Sequence, residues 1–255
     1  MKEITVRNVT FGTGIPKICV PIVGKTEEEI LCQAKQLGDL PADLAEWRAD
    51  WYKEWEDIDK MKQIAEKLRK ILGEMPVLFT FRTGYEGGAS EIDEEMYGTL
   101  SLAMAGCEAI DLLDVEAFRN EKIVEQIVEA AHVNGKKVIM SNHDFSATPS
   151  EAELVRRLTC MQRMGADMAK IAVMPQSMQD VITLMGASLR CNEELSCPII
   201  TMSMGAMGSI SRICGEFSGS AITFASAKIA SAPGQIEATK MKYMLETLHK
   251  SMKSE

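Results

Sequence analysis

Residues 136–174 read KKVIMSNHDFSATPSEAELVRRLTCMQRMGADMAKIAVM. The stretch opens as an apolar run, KKVIMSNHD (136–144), and turns through Thr148-Pro149-Ser150. It continues as an amphipathic segment over 150–164 and closes with a second apolar run, MAKIAVM (168–174). Short runs rich in valine and isoleucine favour extended strands, whereas apolar residues three and four apart favour a helix. Thr148, Ser150, Glu151 and Glu153 supply the hydroxyls and acids of a helix start, and Gly165 the left-handed residue that often ends one. Strand, helix and strand in this order make one βα unit of a parallel sheet.

The same unit recurs along the chain. Further strand-like runs are KICVPIV (17–23), LAEWRAD (44–50), PVLFTFR (76–82), AIDLLDVE (109–116), PIITMSM (198–204) and AITFASA (221–227). Helical periodicity marks 26–38, 56–72, 91–106, 120–134, 177–191 and 236–250, with Thr26 before Glu27-Glu28-Glu29 and Gly135 after another helix. Ile58, Met61, Ile64, Leu68 and Ile71 show the spacing. Eight strand starts, roughly 23 to 33 residues apart, predict an α/β fold of the (β/α)8 barrel type. A doubly wound sheet usually has fewer strands at this length and often carries a glycine fingerprint. GTGIPK (12–17) is read as not following a strand, and no phosphate-loop motif occurs. The residues before the first barrel strand, with Gly12 and Gly14, predict a β-hairpin closing the bottom of the barrel. No linker or shift in composition divides residues 1–255, so a single domain is expected.

Composition narrows the function. The 255 residues are 46% hydrophobic and 25% charged, which suits a folded protein with a sizeable core. A net charge of −9 without a basic stripe argues against nucleic acid and anionic membranes, though one or two arginines can still capture a small anion. Seven cysteines without a C-x-x-C pair, no apolar leader and no membrane-length apolar run predict reduced thiols and a cytoplasmic protein. Three scattered histidines make a metal site unexpected, and no G-x-S-x-G elbow points to acyl transfer.

Barrel chemistry sits at the C-terminal ends of strands and in the loops after them. There Glu46, Arg48 and Asp50 share one face by the strand period. They fit either a structural ion-pair cluster or contacts to a polyhydroxylated ligand. Arg82 ends the third run before Thr83-Gly84-Tyr85-Glu86-Gly87-Gly88, whose glycines permit a close turn; it is a surface charge or a functional one. Asp111, Asp114 and Glu116 are ligands or partners of nearby arginines. Lys170 lies inside an apolar strand, either pointing outward at the strand–helix seam or inward, where desolvation would favour its neutral, nucleophilic form. His143, at the same end of the preceding strand, tilts the reading toward a Schiff-base lysine beside a proton-transfer group. Gly205, Gly208 and Arg212 suggest an anion-receiving loop, and SAPGQI (231–236) has the composition of a lid or of an ordinary turn.

Taken together, EWRAD, LFTFR with the trailing EGG, SNHDF, GADMAKIAVMP, PIITMSM, the Gly-x-x-Ser-Arg run at 208–212 and SAPGQI resemble the type I 3-dehydroquinate dehydratases. These motifs span 46–236 in order, and PKICVPI extends the likeness toward the N-terminus. The resemblance implies a homodimeric barrel enzyme of the shikimate pathway of aromatic amino acid biosynthesis. It would convert 3-dehydroquinate to 3-dehydroshikimate and water by syn elimination, without metal or organic cofactor. It implies Lys170 as the imine former, His143 as the proton shuttle and Glu86 as the acid that orients the histidine. Arg212 would grip the carboxylate, Glu46, Arg48 and Arg82 the ring hydroxyls, and Ser231 and Gln235 would belong to a closing lid. Thr83 stands where many members have serine, Gly84-Tyr85 where other residues are usual, and the aromatic of GEFSGS (215–220) one place early. Another Schiff-base barrel lyase of the class I aldolase kind would share Lys170 but bind phosphate at 205–212. A non-catalytic sensor of quinate-like ligands would be expected to have lost the lysine or the histidine.

Overall fold

A computed structural model of the chain describes residues 2–227 and 234–253. Strands β1 (Ile4–Val6) and β2 (Val9–Phe11) pair antiparallel as the expected hairpin. Eight parallel strands follow: β3 (Lys17–Ile22), β4 (Leu44–Arg48), β5 (Val77–Thr80), β6 (Leu112–Glu116), β7 (Lys137–Asp144), β8 (Met168–Val173), β9 (Ile199–Ser203) and β10 (Ile222–Phe224). Neighbours run β10-β3-β4-β5-β6-β7-β8-β9. The ring closes through a parallel bridge between Ile199 and Ser220, with Ala221 N–H donating to the Ile199 carbonyl at 2.8 Å. Thr201 N–H adds a bond to the Ser220 hydroxyl at 3.0 Å. The eight-stranded barrel is therefore present.

Helices α1 (Glu27–Leu37), α2 (Ile58–Leu72), α3 (Glu94–Ala105), α4 (Glu121–Val133), α5 (Glu151–Arg163), α6 (Met178–Glu194) and α9 (Ala238–Met252) match the seven expected segments. Their ends follow the local chemistry. Thr26 and Ser150 accept the Glu29 and Glu153 N–H groups, while Gly135 and Gly165 take φ values of 70° and 94°. Two short helices, α7 (Ser209–Ile213) and α8 (Gly215–Ser218), occupy what the sequence presented as a loop. They are too short to show a helical period, and Ser211 bonds its own turn at the Gly208 carbonyl. Gly12–Lys17 does follow a strand, β2, but leads straight into β3, so no strand-to-helix phosphate turn exists there. LAEWRAD is also shorter than a seven-residue strand. β4 stops at Arg48, and residues 49–51 wind into a 3-10 turn that carries Asp50 off the strand.

Alternation along each strand sorts the barrel interior by height. Cys19, Leu44, Leu78, Leu112, Ile139, Met168, Ile200 and Ile222 form one buried apolar cluster with Val6 and Phe11 of the hairpin. The hairpin thus plugs the N-terminal end with Phe11, which is fully buried. Two residues further along their strands, five of the eight positions are polar, Glu46, Thr80, Asp114, Ser141 and Lys170, beside Pro21, Met202 and Phe224. An apolar floor beneath a polar upper barrel places any chemistry at the C-terminal ends.

Candidate active site

Polar side chains at the barrel mouth surround about 490 Å³ of space continuous with solvent, in the range of small-molecule sites. Its lining includes Lys170, His143, Glu86, Glu46, Arg48, Arg82, Arg212 and Gln235, eight of the nine residues singled out from sequence. Ser231, the ninth, lies outside the described residues.

Lys170 occupies an inner position of β8 opposite Ser141, and His143 sits opposite Ala172, one inner position nearer the mouth. The lysine therefore points inward, as a nucleophile requires. It is not isolated: its Nζ donates to Asp114 Oδ2 at 2.9 Å and lies 4.6 Å from the centre of the Phe224 ring. Asp114 Oδ1 accepts from Arg82 Nη2 and from the Ser141 hydroxyl, both at 2.6 Å. Burial pushes the Asp114 carboxyl upward, yet the Arg82 and Lys170 cations and the Ser141 bond prevail and hold it at about 2.

Arg82 is the hub of this upper layer. Besides Asp114 it reaches Glu116 Oε1 at 3.0 Å, the Ser141 hydroxyl at 3.1 Å and Glu86 Oε2 at 3.4 Å. Burial works against its charge, but the three carboxylates outweigh burial and raise its pKa. The sequence had left Arg82 between surface charge and function; it is 3% exposed, bonded to this network and part of the cavity wall. Glu116 in turn accepts Thr83 N–H at 2.9 Å and the Thr83 hydroxyl at 2.8 Å. These bonds fix the start of the loop that carries Glu86.

Glu86 is buried, although its Gly-rich surroundings suggested a solvated turn. Gly88 is what permits this: a side chain there would collide with the Arg82 carbonyl, so only glycine lets the loop fold back on its own strand. Glu86 Oε2 accepts both His143 N–H at 3.0 Å and ring Nδ1 at 2.9 Å. A carboxylate receiving Nδ1–H leaves Nε2 as the basic nitrogen facing outward. Burial raises the Glu86 carboxyl to about 7, opposed by Arg82 and assisted by Glu116. Burial likewise pushes His143 well below the usual imidazole value, reinforced by Arg82, Lys170 and Arg48. Both directions favour a histidine that is neutral when the site is ready to accept a proton.

The remaining predicted contacts differ in how they are held. Arg48 grips Asp50 through two bonds of 2.7 Å, so EWRAD supplies a buried ion pair as well as a cavity wall. The structural reading of that motif, an ion-pair cluster, is present in the Arg48–Asp50 pair. Glu46 accepts the Thr80 hydroxyl at 2.9 Å. Arg212, on α7, is 2% exposed, and burial pushes its pKa down to about 10. A cation so enclosed at a cavity wall suits a single anionic group on a ligand.

Sequence reasoning underrated Asp114 and missed Ser141, which bonds Asp114 beneath the cavity, and Met202, Met204 and Phe224, which line it. Inward alternation from Lys170 and His143 would have flagged Ser141. The methionines offered no signal beyond apolarity. Among the described residues, no group of three or more His, Cys, Asp or Glu side chains is arranged to hold a metal ion.

A sequence model of the family described as type I 3-dehydroquinase matches residues 18–252. A 3-dehydroquinate dehydratase from Listeria innocua serovar 6a is 49% identical over 250 residues, covering 98% of this chain and 99% of the relative. The crystal structure of a type I 3-dehydroquinate dehydratase from Clostridium difficile superposes with a TM-score of 0.95 at 46% identity, with 98% of each chain covered. A 3-dehydroquinate dehydratase from Geobacillus kaustophilus gives a TM-score of 0.96 at 37% identity, covering 100% of this chain and 98% of that one.

Proposed function

The chain belongs to the type I 3-dehydroquinase family and is a hydro-lyase that dehydrates 3-dehydroquinate, and from that premise we propose specific roles for its residues. Lys170 attacks the substrate ketone and, with loss of water, forms a protonated imine that serves as an electron sink. His143 Nε2 removes the proton from the carbon next to the imine. The same nitrogen returns a proton to the departing hydroxyl, leaving the imine of 3-dehydroshikimate and one water, and a second water then hydrolyses the imine to free the product and Lys170. Glu86 holds the histidine in the tautomer that makes Nε2 the base.

Arg212 receives the substrate carboxylate, while Glu46, Arg48 and Arg82 line the cavity for the ring hydroxyls. Gln235, on the cavity wall, and Ser231 are assigned to contacts with the substrate. Asp114 joins this set as a positioning residue, because it accepts from Lys170 Nζ and holds it in place.

The observation that carries the reading is the placement of Lys170 and His143 on inner faces of adjacent strands, with Glu86 behind the histidine. The Clostridium difficile structure is described with covalently modified comenic acid, which supports a site that forms bonds to its ligands. Borohydride reduction in the presence of 3-dehydroquinate should add a ligand-dependent mass to the peptide containing Lys170. A folded protein without that adduct would refute the imine assignment.

The enzyme acts on a small molecule, and no described helix is long and apolar enough to cross a membrane. We further propose one domain over residues 1–255, a place in the shikimate pathway and a homodimer in the cytoplasm. Phe217, Tyr243, Leu248 and Met252 are exposed along α8 and α9 and support a covered face. Light scattering should return twice the chain mass; a monomer at working concentration would remove the dimer from this account.

A further inference from the structure

We propose that Asn142 and Arg157 form a positioning pair that fixes the Glu86 carboxylate and, through it, the proton-transfer histidine. The proposal rests on the roles given above to Glu86 and His143 and extends the site to two residues outside the substrate cavity.

Asn142 lies between Ser141 and His143 on β7, so its side chain leaves the strand on the face away from the barrel interior. It is nearly buried there, and its Nδ2 donates to Glu86 Oε1 at 3.0 Å. The two carboxylate oxygens are thereby divided: Oε1 serves Asn142, and Oε2 serves the His143 backbone and ring. Rotation of the carboxylate would break one set or the other.

An asparagine amide can present either end, and Arg157, on α5, holds the end that Glu86 does not. Its Nη1 donates to Asn142 Oδ1 at 2.9 Å, and its Nε donates to Glu153 Oε1 at 2.8 Å. A guanidinium has donors only, so the asparagine must turn its oxygen toward Arg157 and its amide hydrogens toward Glu86. The Glu86 carboxylate, an acceptor only, selects the same orientation from the other end, so Arg157 reinforces the amide and its removal leaves Oδ1 without this donor. A half-buried helix ion pair with Glu153 would not by itself account for the bond from Arg157 to the nearly buried Asn142.

The charged groups facing Glu86 come from several elements. Arg82 follows β5, Asp114 and Glu116 lie on β6, and His143 lies on β7. Behind Asn142 stand Arg157 and Glu153 on α5, with Asp144 at 3.8 Å from Arg157. Among these, the Asn142 bond favours the ionised carboxylate, whereas burial and Glu116 disfavour it. Loss of the asparagine donor should therefore raise the proton affinity of the Glu86 carboxyl, the group that fixes His143.

The test is the pH dependence of kcat and KM on 3-dehydroquinate for the wild type, Asn142→Ala, Arg157→Ala and Arg157→Lys, with a thermal melt of each. Asn142→Ala should move the acidic limb of kcat upward by about one pH unit, the equivalent of one hydrogen bond to a charged group, and lower kcat near neutrality by about tenfold. KM should change little, because neither residue lines the substrate cavity. Arg157→Ala should shift the limb in the same direction by a smaller amount, and Arg157→Lys should restore most of it. Variant profiles that overlay the wild type, or a loss equal at every pH, would overturn the proposal even if every melt shifted. Borohydride trapping at Lys170 in the wild type separates this outcome from failure of the imine mechanism itself.

Discussion

Lys170→Ala is expected to lower kcat on 3-dehydroquinate by on the order of 10⁴-fold or more, with the barrel intact and ligand binding partly retained. The variant removes the only step that converts the ketone into an electron sink, while Arg212 and the Glu46–Arg48 wall remain in place. It also takes one cation from Asp114. That carboxylate keeps Arg82 and Ser141, so no buried anion is left without a partner. A carboxyl held at about 2 when folded, against about 3.9 unfolded, stabilises the fold at neutral pH and loses that contribution as pH falls toward 2. Without Lys170 the folded value rises, and the contribution shrinks. The variant should therefore melt below the wild type at pH 7, with the gap closing in acid. Steady-state kinetics, calorimetric binding of a non-reacting analogue and melts at two pH values check these points. Near-normal turnover would end the imine mechanism.

How much of this was legible beforehand depended on whether a residue announced itself locally. Lys170 in MAKIAVM was conspicuous because an ammonium in an apolar run demands an explanation, and His143 because an apolar run stops abruptly at SNHD. The strand and helix succession was equally plain, since each element is long enough to show its period. Glu86 was invisible to that logic. Its burial is produced by the loop folding onto β5 and by Phe145 lying over Gly87, contacts that no local pattern encodes. Asp114 was seen but undecided, because an acid on an inner strand face becomes informative only once Arg82 and Lys170 are known to meet it across two other strands. Asp50 shows the opposite error. The period of two put it on the strand face of Glu46 and Arg48, whereas the chain had already turned, and the ion pair with Arg48 is what the turn makes possible.

His143→Ala is expected to lower kcat by about 10²–10⁴-fold, the usual share of one general acid–base group. Lys170 should still take up a reducible adduct. The argument is one of position: the histidine stands one inner layer nearer the mouth than the lysine, and its Nε2 faces the cavity while Glu86 occupies Nδ1. It therefore addresses the ring carbon beside the imine better than the imine nitrogen itself. The wild-type rate should fall on the acid side of about 7, because a proton gained by the Glu86 carboxyl removes the acceptor that fixes the histidine. The variant has no base left to lose, so its residual rate should be nearly flat through that region. Borohydride trapping decides where the histidine acts. A mass gain on Lys170 at near wild-type extent assigns His143 to proton removal and hydroxyl departure. A folded variant with no adduct would move its main work to imine formation, where Asp114 alone would then be too weak a base to free the amine.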